Sequence, residues 1–447
     1  TRADWRGVLS MARVESSSTD RQTVFATALY HSLIKPCFAP DESPWWPGRR
    51  PFVFDLATMW DIYRTQLPLL TAVAPEKAIE LANALLVVCE EEGNLPIGYR
   101  MAKGADRFFR QGSALVHTFL ADLCALGVDG IDWEWALAHM APDLRRQYGE
   151  DFLENGVAHP ISHTLDLAFG YHCTARIARH LGDDQLAGQL EAMADRWRNA
   201  FDPETGLLVD STFYEGGKWN YSFRLVHDMA ARISLAGGEV RYAELLDRFF
   251  GFGAEPVKQL GVAPSPDEVT AGYELGRFEG LNNEPDMDAP WSYHWLGRPD
   301  RTADVVNSAV TNQFGVGRGG LPGNDDSGGL SSWYVWASLG LFPVAGQNLF
   351  LFNAPAYVHA RLRTGDSSLT IETEGFVEPE PDRPAQYVRS LRLDGADLNR
   401  SWLTAEELHG GGTLVVELGS IPSRWATTTR PPSDGSPSDL LTQEHTR

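Results

Sequence analysis

Apolar residues over the first three quarters of the chain recur at helical spacing. Thr23, Phe25, Leu29 and Leu33 fall near a 3.6-residue period in a segment ended by Pro36. Residues 76–90 (EKAIELANALLVVCE) give a second apolar stripe. Residues 162–181 put Leu165, Phe169, Cys173 and Ile177 on one face, with Gly182 as a stop. Segments near 58–68, 113–126, 133–142, 185–200, 223–236, 241–251, 299–313 and 330–341 read the same way. This predicts ten to twelve helices joined by short Gly/Pro/Asn/Asp-rich loops. So many helices around one core imply paired helices in a barrel or toroid, and no self-similar period suits a solenoid.

After about residue 345 the period changes to two. YVHARLRT, SSLTIETEG, YVRSLRLDG and GTLVVELG alternate polar and apolar residues between turn residues. This predicts a β-rich segment over 345–420, with companion strands expected outside this chain. The remainder, 421–447, is rich in Thr, Ser and Pro and reads as a disordered tail. The helical part then spans 1–344.

Composition narrows the function. Hydrophobic residues are 43% and charged residues 22% of the 447, which excludes a mostly disordered protein. No apolar run reaches the roughly 18 residues a membrane span needs. The net charge of −22 repels phosphate backbones, so nucleic acid is a poor partner, while divalent cations and neutral substrates are suited. Cys37, Cys89, Cys124 and Cys173 show no CxxC spacing and read as four buried thiols. The 14 tryptophans serve as core filling or as faces that stack on sugar rings. The chain opens on Thr1 without a signal-peptide pattern, as expected of a fragment or processed product.

Four polar clusters fall in predicted loops, where functional side chains concentrate. The first holds Asp55 and Trp60-Asp61, a stacking ring beside a hydroxyl acceptor; the alternative is a helix start with a surface Asp–Arg pair. The second, Phe213-Tyr214-Glu215-Gly216-Gly217-Lys218-Trp219-Asn220-Tyr221, sets one Glu among aromatic rings. Such surroundings raise a carboxyl pKa, as a general acid requires, unless the loop is simply exposed. The third, Asn282-Asn283-Glu284-Pro285-Asp286-Met287-Asp288, offers the hard oxygens Ca²⁺ prefers, or an Asx-rich turn. The fourth is Asn324-Asp325-Asp326 in a Gly-rich loop before a helix, able to bind metal, position water or cap the helix. Together they are what an inverting glycoside hydrolase needs: an acid on one side and a base roughly 6.5–9.5 Å away. A serine-nucleophile elbow and an HExxH zinc motif are both missing from the sequence.

The motifs ATALYHSL, MWDIYR, FDPETG, EGGKWNYSF, NNEP, GNDDSGGLSSWYVWASLGLFPV and LNRSWLTAEEL…GGTLVVELG cover nearly the whole chain. In these it resembles the calcium-dependent exo-acting α-mannosidases of glycoside hydrolase family 92. The resemblance implies an (α/α)₆ barrel followed by a small C-terminal β-rich segment. It implies inversion, with Ca²⁺ binding the mannose O2 and O3 and helping to flatten the ring. By position, Glu215 corresponds to the general acid, Asp326 to the general base and Asn324 to its support. Asn283 and Glu284 correspond to the calcium-linked loop, with Asp326 near the metal. Asp61, after Trp60, corresponds to a residue gripping the mannose. Asp55, Trp219, Asp286 and Asp288 complete the expected substrate contacts.

Three departures from that pattern are visible. The family usually begins with a β-sandwich domain, which this chain lacks. Many members read NEPSHH where this chain has NEPDMD, and the family's Gly-Asp-His-Ala motif has no counterpart His at Ser113. These predict altered leaving-group contacts. The expected function is removal of terminal α-mannose from a glycan; the alternatives are a mannosyl-phosphodiester uncapping hydrolase and a catalytically silent mannoside-binding module. Arg100, Lys103, Arg107 and Arg110 form the basic stretch that motivates the phosphodiester. An (α/α)-barrel polysaccharide lyase is disfavoured, because acidic loops repel uronates. The resemblance also implies a secreted or extracytoplasmic setting.

Overall fold

The computed structural model describes residues 2–43, 46, 48–56, 58–98, 112–146, 149–209, 216–252, 278 and 280–434. Helices of two kinds alternate. Some are buried almost all round: Gln66–Val73, Ser162–His180 and Gly329–Ser338. Others bury one stripe: Glu239–Phe250 covers only Tyr242, Leu246, Phe249 and Phe250, and Asp184–Ala194 only Ala187, Leu190 and Ala194. A helix buried on every side needs neighbours on every side, so the first kind forms an inner wall and the second an outer one. That is the (α/α) barrel. Ser162–His180 packs against Asp184–Ala194, Leu115–Ala125 and Trp133–Arg146; Gly329–Ser338 packs against Thr19–Ser32.

The predicted stripes match these helices, and side-chain caps fix several starts. Ser18 Oγ accepts from Arg21 N, Asp183 from Leu186 N and Asp228 from Ala231 N. Of the stretch predicted as one helix over 223–236, only Met229–Leu235 is helical, and an irregular link joins it to the short helix Lys218–Ser222. Three cysteines are buried as expected, whereas Cys37 is half-buried.

The C-terminal strands lie where the period-two pattern put them. Five of them join Ala12–Glu15 in a six-stranded sheet in the order Ala12–Glu15, His359–Thr364, Ser367–Glu374, Gly412–Gly419, Tyr387–Leu393, Ala396–Asp397, and Trp402–Thr404, Leu349–Phe352 and Leu341–Val344 form a second sheet. Only Gly412–Gly419 beside Ser367–Glu374 is parallel. Leu362, Leu369, Ile371, Leu391, Leu414 and Val416 face the core. A strand from the other end of the chain completes the sheet, with Arg13 opposite Arg361. Four residues, ARVE, carry too little alternation to reveal that pairing in advance.

The tail reading needs correction as far as Asp434. Trp425 is 8% exposed and its Nε1 donates to Leu398 O at 2.9 Å. Trp295 Nε1 donates to Pro432 O, and Asp434 reaches His172 at 3.3 Å. The segment is an extended strap. Its Pro content removes donors but leaves carbonyls that the barrel's own donors can use. Residues 435–447 lie outside the described residues.

Candidate active site

Three segments meet at one end of the inner wall, where Gly329–Ser338 begins. A Cβ on Gly323 would lie 2.0 Å from Asn282 O, so the loop carrying Asp326 rests directly on the loop carrying Asn283 and Glu284. A Cβ on Gly329 would lie 2.5 Å from Asp61 O, bringing the Trp60-Asp61 segment against the same helix start. Trp333 Nε1 donates to Met287 O, and Thr65 Oγ1 bonds Ser332 Oγ at 2.8 Å. The second cluster joins through Asn220, whose Nδ2 donates to Asp286 Oδ1 at 2.9 Å.

The two adjacent aspartates of the fourth loop are divided between two tasks. Asp325 receives the N–H and the hydroxyl of Ser331, both at 2.8 Å, and lies 3.4 Å from His31 Nδ1. It caps the helix. Asp326 is exposed, and among the described residues no hydrogen bond or ion pair holds its side chain. Its φ is +39°, followed by +61° at Ser327 and +89° at Gly328. Two non-glycine residues in left-handed backbone cost about 1–2 kcal/mol each, a strain of the kind that persists at functional loops. Desolvation, and then the Asp325 charge, push the Asp326 carboxyl above the ordinary range.

Not every candidate sits in a loop. Trp60 and Asp61 are on the helix Met59–Ile62, which Thr58 caps through Trp60 N, and Asp286 is on the 3₁₀ turn Glu284–Asp286. Asp61 is buried and accepts from Thr58 Oγ1 at 3.2 Å. The open stacking face expected of Trp60 is absent. The ring is 1% exposed, with the Arg64 guanidinium 4.0 Å over it and Arg224 5.3 Å away. Trp219 is half-buried, with Arg248 at 4.8 Å from its ring. Asp55 stands apart, paired with Lys35 at 2.9 Å near the surface. Asn283 Oδ1 accepts from Glu284 N at 3.0 Å, and Glu284 is fully buried. Asn324 is exposed beside the base candidate. Glu215 and the basic stretch Arg100, Lys103, Arg107 and Arg110 lie outside the described residues.

The replacement of a His pair by Met287 and Asp288 lies beneath the surface. Met287 is fully buried, and Asp288 faces the interior, taking the Leu225 N–H at 3.1 Å and lying 3.9 Å from Arg64 Nε. Behind it Arg224 pairs with the buried Asp166 and donates to Tyr63 Oη at 2.8 Å. Sequence reading missed this network: around Arg64 it offered only a surface Asp–Arg pair, and Arg224 and Asp166 carry no local motif. Arg224→Leu is expected to cost about 3–5 kcal/mol, because it strands Asp166 in the core. The urea midpoint measures it.

The glycosyl hydrolase family 92 catalytic-domain model matches residues 1–420. The chain belongs to that family. An uncharacterized secreted glycosidase of Arthroderma benhamiae is 22% identical over 97% of this chain and 58% of its own length. A family 92 inverting mannosidase from Bacteroides thetaiotaomicron superposes with TM-score 0.81 at 23% identity, covering 97% of this chain and 64% of that one. A family 92 α-mannosidase from the same organism gives 0.83 at 21%, covering 98% and 62%. This family 92 chain thus spans about three fifths of the length of these relatives, and the likeness to the two solved structures establishes the fold. No helix among the described residues is long and apolar enough to cross a membrane.

A calcium site here needs more than carboxylates. Among the described residues, no three His, Cys, Asp or Glu side chains gather closely enough to hold a metal by themselves. The touching loops 282–288 and 323–329 do supply amide, carbonyl and carboxylate oxygens, the donor types Ca²⁺ takes.

Proposed function

We propose that this chain is the catalytic part of a glycoside hydrolase that removes terminal α-mannose with inversion. The meeting of three acidic segments at one end of the barrel supports the reading best, because inversion needs opposed carboxyl groups around one sugar. Glu215 would protonate the leaving oxygen. Asp326, exposed and untethered among the described residues, would take a proton from the attacking water, with Asn324 beside it. Asp61, Asp286 and Trp60 would form the buried floor beneath the mannose. Asn283, Glu284 and Asp326 would hold Ca²⁺. When bound, the ion supplies positive charge to vicinal hydroxyls. The secreted relative supports an extracytoplasmic setting.

The test is ¹H NMR of α-mannoside hydrolysis with and without EDTA. β-Mannose is expected as the first sugar released, with activity lost in chelator and restored by Ca²⁺. Initial release of α-mannose would overturn inversion, and full activity in chelator would remove the metal.

A further inference from the structure

Asn220 joins the segment that follows Glu215 to the acidic loop 282–288. Its Oδ1 accepts the Gly217 N–H at 3.0 Å, and its Nδ2 donates to Asp286 Oδ1 at 2.9 Å. Partner chemistry fixes the orientation of this amide. A backbone N–H only donates, so the amide oxygen must face Gly217, which leaves the nitrogen to donate to Asp286 Oδ1. Asp would repel Asp286, and Ala would bond neither.

The mount for this amide is rigid. Asn220 is 9% exposed, on a helix of only five residues, Lys218–Ser222, that is too short to hold itself. Outside groups hold it: Leu208 N donates to Ser222 Oγ at 2.9 Å, and the buried Arg232 donates to Ser222 O at 3.0 Å and Gly206 O at 2.7 Å. The backbone after Glu215 lies flat on it. A Cβ on Gly216 would come within 3.1 Å of Asn220 Cβ and 3.2 Å of the Tyr221 ring. Tyr221 in turn lies 6.0 Å from Trp60, ring to ring.

We propose that Asn220 is the positioning residue of the acid segment, fixing the Gly216-Gly217 backbone that follows Glu215 to the acidic loop. This rests on Glu215 being the general acid. Proton donation matters most when the leaving oxygen is basic, so misplacing the acid slows poor leaving groups and spares good ones. A residue that merely stabilises the fold slows both alike.

The experiment compares wild type, Asn220→Ala, Asn220→Asp and the double variant Asn220→Asp with Asp286→Asn, all with Ca²⁺. Each is assayed on methyl and on 2,4-dinitrophenyl α-mannoside, with hydrogen exchange followed over 216–221 and 282–288. Asn220→Ala is expected to lower kcat on the methyl mannoside about 10- to 100-fold, less than the at least 100-fold that full loss of acid catalysis costs, with KM and dinitrophenyl turnover nearly unchanged. Exchange should rise in both segments together. Asn220→Asp should behave alike, and the double variant, which reverses donor and acceptor, should restore the leaving-group ratio and the protection. Equal losses on both substrates, or an unchanged ratio, in an otherwise active enzyme would overturn the positioning role alone. A wild-type chain inert on both substrates would overturn the glycosidase reading and this role with it.

Discussion

Asp326→Ala is expected to abolish α-mannoside hydrolysis whatever the leaving group. A base that activates water acts on the nucleophile, so a better leaving group cannot replace it. Of the adjacent pair, Asp325 is committed to Ser331 and His31, whereas Asp326 is carried outward on left-handed backbone. The base works ionised, and its carboxyl is pushed above the ordinary range, so kcat/KM should fall as pH drops through that raised value. Asp325→Asn keeps an oxygen for the Ser331 cap and removes the neighbouring charge. Its acid limb should therefore move to lower pH, stopping short of an ordinary aspartate because desolvation remains. An Asp326→Ala enzyme still active on dinitrophenyl mannoside would end the assignment.

Glu215→Gln should separate substrates instead. Turnover on methyl mannoside is expected to drop at least about 100-fold, the usual scale of acid catalysis, while dinitrophenyl mannoside is largely spared. The basic limb of the pH–rate profile should disappear with the acid. Uniform turnover on both substrates, equal to wild type, would remove Glu215 from the chemistry. The two variants together assign acid and base without any distance between them.

The barrel was legible because its helices obey local rules. Leu165, Phe169, Cys173 and Ile177 recur at helical spacing and are all buried. The strands over 359–419 were legible for the same reason at period two. The acidic loops showed as dense oxygen chemistry flanked by glycine, and Gly323 and Gly329 are small because another segment's carbonyl oxygen, Asn282 O or Asp61 O, lies within 2.5 Å of where a Cβ would sit. What stayed hidden depends on distant partners. Nothing near Arg64 says that Asp288 faces it, and nothing near Trp60 says that two guanidinium groups flank its ring. Composition misread the strap at 421–434, since Pro and Ser describe an extended chain whether it is solvated or laid in a groove.

The six-stranded sheet also bears on synthesis. Ala12–Glu15 is made well before its hydrogen-bonding partner, His359–Thr364, which follows the barrel helices that lie between them. That pairing is strongly non-local, and loop closure of such length comes late in folding. Until then the first strand is an open edge. The inner and outer helices can be built in order, but this strand is fastened only after they have been made.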